Sequence, residues 1–65
     1  MSDRIDLNLA TKEDLMKLNG IGETLAERIL AYREQHGGFD SVEELLEVSG
    51  IGEKRFAAIE PYVTV

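Results

Sequence analysis

"LNGIGETLAERI" runs from Leu18 to Ile29, and "VSGIGEKRFAAI" runs from Val48 to Ile59. The same Gly-Ile-Gly-Glu thus occurs at Gly20 and again, thirty positions on, at Gly50. A helix ends readily on glycine, because the left-handed backbone shape needed there strains a residue with a side chain and is nearly free for Gly. Gly20 and Gly50 therefore read as stops. Gly22 and Gly52 read as starts, since Glu23 and Glu53 follow them directly and place a negative charge at the positive end of a new helix dipole.

Outward from the two turns the match continues. "TKED" from Thr11 and "SVEE" from Ser41 both read as capping boxes, a hydroxyl followed three residues later by Asp14 or Glu44. Each opens a short helix of about two turns. Its apolar stripe is Leu15, Met16 and Leu18 in the first copy, and Val42, Leu45, Leu46 and Val48 in the second. Beyond the turns, Leu25, Ala26, Ile29, Leu30 and Tyr32 mark the buried side of the longest helix, which "HGG" from His36 to Gly38 ends. In the second copy Phe56 and Ile59 mark that side, and Pro61 closes the helix because it has no backbone N–H to donate. Tyr32 and Tyr62 share a repeat position, which reads as core packing. "RIDLNL" alternates Ile5, Leu7 and Leu9 with polar residues and reads as an extended lead with one side on the core, and "YVTV" as an extended tail with which it can pair.

The predicted fold is all-α: four short helices in two hairpin units, approximately 9–37 and 39–63, related by a pseudo-two-fold and flanked by extended tails. Neither unit has enough apolar surface to stand alone, so the two pack together, with Ile21 and Ile51 pointing inward at their junction.

Composition narrows the function. Sixty-five residues form one domain, 1–65, with no room for a deep catalytic pocket, so the chain is not expected to be an enzyme. Without cysteine there is no thiolate metal site, and the lone His36 has no second histidine to join it, so no metal and no cofactor are expected. Glu43, Glu44 and Glu47 read as a solvated helix face. No apolar run reaches signal-peptide or membrane-span length, so the chain as written reads as soluble, with its compartment and any larger parent protein left open. Thirteen acidic residues against seven basic give a net charge of −6, which opposes a broad nucleic-acid-binding surface.

The repeated turn points the other way. A tight turn followed at once by a helix N-terminus leaves several backbone N–H groups unpaired and pointing together, an arrangement that suits a phosphate oxygen. Two such turns can hold the two strands of a duplex across a groove and read no base edge. Lys54 and Arg55 follow the second Gly-Ile-Gly directly, close to where a phosphate would sit. Around the first hairpin the nearest cations are Lys17 and Arg28, and Thr24 can donate its hydroxyl. The second hairpin is thus expected to be the stronger half.

These residues carry a resemblance. "LMKLNGIGETLAERI" and "LLEVSGIGEKRFAAI" look like the helix-hairpin-helix motif, and nearly the whole chain resembles the tandem helix-hairpin-helix domain of bacterial competence proteins of the ComEA type. Asn19 and Ser49 stand where many single motifs have proline, and Phe56 replaces the small residue kept as Ala26. The resemblance implies non-sequence-specific binding of double-stranded DNA in DNA uptake. The parent would be membrane-tethered and extracytoplasmic, and amides of Gly20, Gly22, Leu25, Gly50, Gly52 and Arg55 would lie on the phosphates. The expected phosphate-binding set is therefore Gly20, Ile21, Gly22, Thr24 and Leu25 with Gly50, Ile51, Gly52, Lys54 and Arg55. The alternative is an acidic helical module that binds a protein partner and leaves its hairpins empty.

Overall fold

The computed structural model describes residues 3–65. In chain order these form strand β1 (Ile5–Asp6), helices α1 (Lys12–Met16) and α2 (Glu23–His36), a 3-10 helix η1 (Val42–Glu47), helix α3 (Glu53–Ile59), a one-turn 3-10 helix η2 (Glu60–Tyr62) and strand β2 (Val63–Thr64). The chain is mostly helical, as expected, with one small sheet. β1 and β2 pair in parallel, Ile5 opposite Val63 and Asp6 opposite Thr64, and Leu7 N–H extends the ladder to the Thr64 carbonyl at 2.8 Å. The two tails thus close on each other.

Both capping boxes form, and they set where the short helices begin. Thr11 Oγ1 accepts the Asp14 N–H at 3.1 Å while Asp14 Oδ2 accepts the Thr11 N–H at 3.1 Å. At η1 the Glu44 carboxylate accepts the N–H groups of Ser41 (3.1 Å) and Asp40 (2.8 Å). The helix that follows Ser41 is 3-10 where its counterpart α1 is α, an exchange that is common in runs this short.

The core follows the repeat. Leu15 and Leu45, Leu18 and Val48, Ile21 and Ile51, and Ile29 and Ile59 are buried pairs at equivalent positions, joined by Leu7, Ala10, Ala26, Phe39 and Val63. Fully burying a side chain of this kind is worth about 1.5–3 kcal/mol, so the shared core carries most of the stability that helices this short lack on their own. Leu25, Leu30, Tyr32 and Phe56 pack partly buried against it.

Four expected core residues lie elsewhere. Leu9 is 79% exposed, because Leu9 and Ala10 both donate to the Asp6 carbonyl in a turn that ends the alternation and sends Ala10 inward in its place. Met16 and Leu46 follow the buried Leu15 and Leu45 by one residue and so rotate to the rim, where both are exposed. Tyr62 is likewise exposed, whereas Tyr32 is half-buried and stacks between His36 and Phe39, so the shared repeat position does not give shared packing.

Two side chains tie the lead to the middle of the chain. Asn8 Nδ2 donates to the Phe39 carbonyl (3.0 Å) and its Oδ1 accepts the Phe39 N–H (2.6 Å). Arg33 Nη1 donates to the carbonyls of Leu7 (2.9 Å) and Ala10 (2.8 Å).

Candidate functional site

The two Gly-Ile-Gly segments have nearly the same backbone. Gly20 and Gly50 are left-handed, with φ of 83° and 95°. Ile21 N–H donates to the Leu18 carbonyl at 3.1 Å, and Ile51 N–H to the Val48 carbonyl at 3.0 Å. Both isoleucines are buried. Ile21 and Ile51 therefore hold the turns shut and spend their amides internally.

Gly22 and Gly52 are the N-caps of α2 and α3, with φ of −93° at both and ψ of −169° and −178°, and neither cap has a side-chain hydrogen bond. The ladders begin with Ala26 N–H on the Gly22 carbonyl and Phe56 N–H on the Gly52 carbonyl, each at 2.9 Å. Among the described residues, the amides of Gly20, Gly22, Thr24 and Leu25, and of Gly50, Gly52, Lys54 and Arg55, have no internal acceptor. Each hairpin thus offers a cluster of free donors at a helix N-terminus.

Side chains break this symmetry. Arg28, expected beside the first hairpin, reaches the second, where its Nη1 donates to the Ser49 carbonyl at 3.1 Å. Arg55 Nη1 donates to the Gly50 carbonyl at 2.9 Å, while its Nε lies 3.5 Å from where a side chain on Gly20 would begin. Sequence spacing assigned each arginine to its neighbouring turn, and only the packing of the two halves reveals the crossing. Lys54 is exposed and without an internal partner among the described residues, and Thr24 is exposed with its hydroxyl unbonded. Lys17 sits 3.6 Å from Asp14 and faces that carboxylate.

The acidic neighbours of the first hairpin are partly answered. Lys12 Nζ lies 2.6 Å from Glu23 and 3.2 Å from Glu27. Its side-chain hydrogen bonds hold the Glu23 carboxyl below the usual range and raise the Lys12 ammonium in return. Glu53, at the second hairpin, has no such partner among the described residues.

The family model of the helix-hairpin-helix motif matches residues 2–64, and the chain belongs to that family. It is similar to ComE operon protein 1 of Bacillus subtilis (strain 168), 46% identical over 61 residues, which are 94% of this chain and 30% of that protein. An uncharacterized protein of Haemophilus influenzae is 51% identical over 53 residues, covering 80% of this chain and 47% of the other. Endonuclease/exonuclease/phosphatase family domain-containing protein 1 of Danio rerio is 41% identical over 63 residues, covering 97% of this chain but 12% of the relative. The chain therefore spans less than half the length of each of these relatives.

Proposed function

We propose that the chain binds double-stranded DNA without reading its sequence, holding phosphate oxygens on main-chain amides of its two Gly-Ile-Gly hairpins. Gly20, Gly22 and Leu25 supply the amides of the first, with the Thr24 hydroxyl beside them; Gly50, Gly52 and Arg55 supply those of the second, and Lys54 adds a cation.

One observation carries this reading. Gly22 and Gly52 adopt ordinary N-cap backbone angles, and a side chain at either would meet nothing within 4 Å. The fold has no need of glycine there. Serine or aspartate would cap the free amides and improve on glycine by about a few tenths of a kcal/mol. Leaving both caps bare keeps the donors open and the approach clear for an anion from outside.

A pseudo-two-fold between units 9–37 and 39–63 is favoured by a reciprocal contact. The side chain of Arg55 lies against Gly20, and that of Leu25, its counterpart thirty positions earlier, lies against Gly50. Units so related would present their amides to opposite strands of one duplex.

The likeness to ComE operon protein 1, joined to the resemblance to competence proteins of the ComEA type, extends the proposal to DNA uptake by a membrane-tethered, extracytoplasmic parent. Among the described residues no helix is long and apolar enough to cross a membrane, so any tether would lie outside them. The endonuclease-named relative is matched over 12% of its length, which carries no catalysis to this chain.

The net charge of −6 favours the rival reading, an acidic module for a protein partner. Fluorescence anisotropy with unrelated duplexes across a salt series separates the two. The DNA reading expects comparable binding to every duplex, weakening steadily with salt. An interaction module of this charge binds no duplex at any ionic strength.

A further inference from the structure

We propose that the side chains of Lys54 and Arg55 serve the first hairpin rather than the second, which these residues follow in sequence and to which Arg55 lends its amide. With Asn19 and Gly20 they form one anion-binding groove across the two halves of the chain, suited to a phosphodiester oxygen. The inference rests on the phosphate reading above and assigns its cations.

A shallow groove of about 300 Å³ is lined by Asn19, Gly20, Lys54, Arg55 and Ala58. One wall comes from the first turn and the other from α3. Ala58 follows Lys54 by one helical turn and keeps the floor low. Gly20, whose amide has no internal acceptor among the described residues, lines this groove.

Arg55 is held in place for the task. Its Nη1 bond to the Gly50 carbonyl fixes the guanidinium between the two turns, and its Nε edge stands 3.5 Å from the Gly20 side-chain position. A guanidinium carries five N–H donors in a rigid fork, so one internal bond leaves the rest for an oxyanion. Lys54 adds a charge that no carboxylate among the described residues engages.

The equivalent place on the second hairpin is filled. A side chain on Gly50 would come within 2.8 Å of both Arg28 Nη1 and Leu25 Cδ2. Leu25 is the counterpart of Arg55, so the second turn meets an apolar side chain together with Arg28, where the first turn meets Arg55 and Lys54. Arg28 donates one bond to the Ser49 carbonyl, as Arg55 does to that of Gly50, so the turns differ by Lys54 and by the Leu25 side chain that fills the second. The first hairpin is thereby the stronger anion site, the reverse of what sequence spacing implies.

The test is a titration of ¹⁵N-labelled protein, once with a short duplex and once with inorganic phosphate, on the parent, Lys54→Gln and Arg55→Lys. Lys54 is exposed and unpaired, so its replacement leaves the fold intact; thermal midpoints confirm this for both variants. In the parent, the Gly20 amide and the Arg55 Nε–H resonance move together. In Lys54→Gln the duplex-induced shift of Gly20 shrinks while that of Gly52 is kept at equal saturation. Affinity falls about two- to fivefold, the worth of an exposed charge pair. The slope of log K against log salt becomes shallower by about 0.9. Arg55→Lys keeps the charge but loses the fork, and uncouples the Gly20 shift from the side chain at position 55. A Gly52 response that shrinks while Gly20 is unchanged overturns the proposal, because the cations then serve their own hairpin. If no hairpin amide responds to duplex, the DNA reading fails and the phosphate arm decides alone. Joint movement of Gly20 and Arg55 Nε–H upholds the groove as an anion site, and movement of neither overturns it.

Discussion

At the scale of the residue, the four hairpin glycines divide into two kinds. Gly20 and Gly50 are required by backbone shape, whereas Gly22 and Gly52 are not. Gly50 is also enclosed, with Arg28 and Leu25 each 2.8 Å from a would-be side chain, while the nearest atom at Gly20 is 3.5 Å away. Gly50→Ala is therefore expected to cost about 2–4 kcal/mol, left-handed strain and crowding combined, and Gly20→Ala about 1–2 kcal/mol from strain alone. Thermal denaturation of the two variants side by side checks the order. The doubled glycines were legible in the sequence because turn chemistry is local. The reach of Arg28 and Arg55 was not, since a long side chain crosses between halves only once their packing is known.

At the scale of the element, η1 is held chiefly through one carboxylate. Glu44 accepts the Tyr32 hydroxyl at 2.8 Å along with the N–H groups of Asp40 and Ser41. These bonds, the Tyr32 hydroxyl first and the Asp40 amide next, keep its pKa below the ordinary value of 4.5. A depressed carboxylate stabilises the fold above its unfolded pKa, and the contribution fades as pH falls through the lower folded value. Thermal midpoints followed from neutral pH into acid should thus fall below about pH 4.5. Glu44→Gln should start lower and show a shallower acid limb. The partner behaves in the opposite sense. The Tyr32 phenol, bonded to Glu44 and partly desolvated, is pushed up to about 12 from 10.0, so its contribution is present below pH 10.0 and lost as pH rises through about 12. An absorbance titration should show a late tyrosinate step that Tyr32→Phe removes. Capping boxes and apolar spacing made these short helices readable from "TKED" and "SVEE". The α or 3-10 character of η1 was not readable, because in a single short turn the two differ little in energy.

At the scale of the whole molecule, a repeat of equivalent apolar positions closes around one core, and parallel pairing of β1 with β2 brings the two ends of the described chain together. The repeat announced the shared core through Leu15 and Leu45, Ile21 and Ile51, and Ile29 and Ile59. It said less about the strands, since two-residue segments carry almost no period and their partners lie at opposite ends of the sequence. Leu9 misled for the same reason: a turn after two residues overrode the alternation. With about two to four phosphates neutralised, duplex affinity should lie near 10⁻⁴ to 10⁻⁶ M and the log–log salt slope near −2 to −4. A nanomolar, sequence-selective complex would contradict a grip made of backbone amides. That grip is tested most directly by Gly22→Ser with Gly52→Ser, because the backbone at both positions already has the shape of a serine cap. The hydroxyls would take the amides a phosphate needs while holding or slightly raising the thermal midpoint. The double variant is expected to be as stable as the parent and to have lost most of its duplex affinity in low-salt anisotropy; a double variant that binds duplex as well as the parent would show that these amides are not the contact.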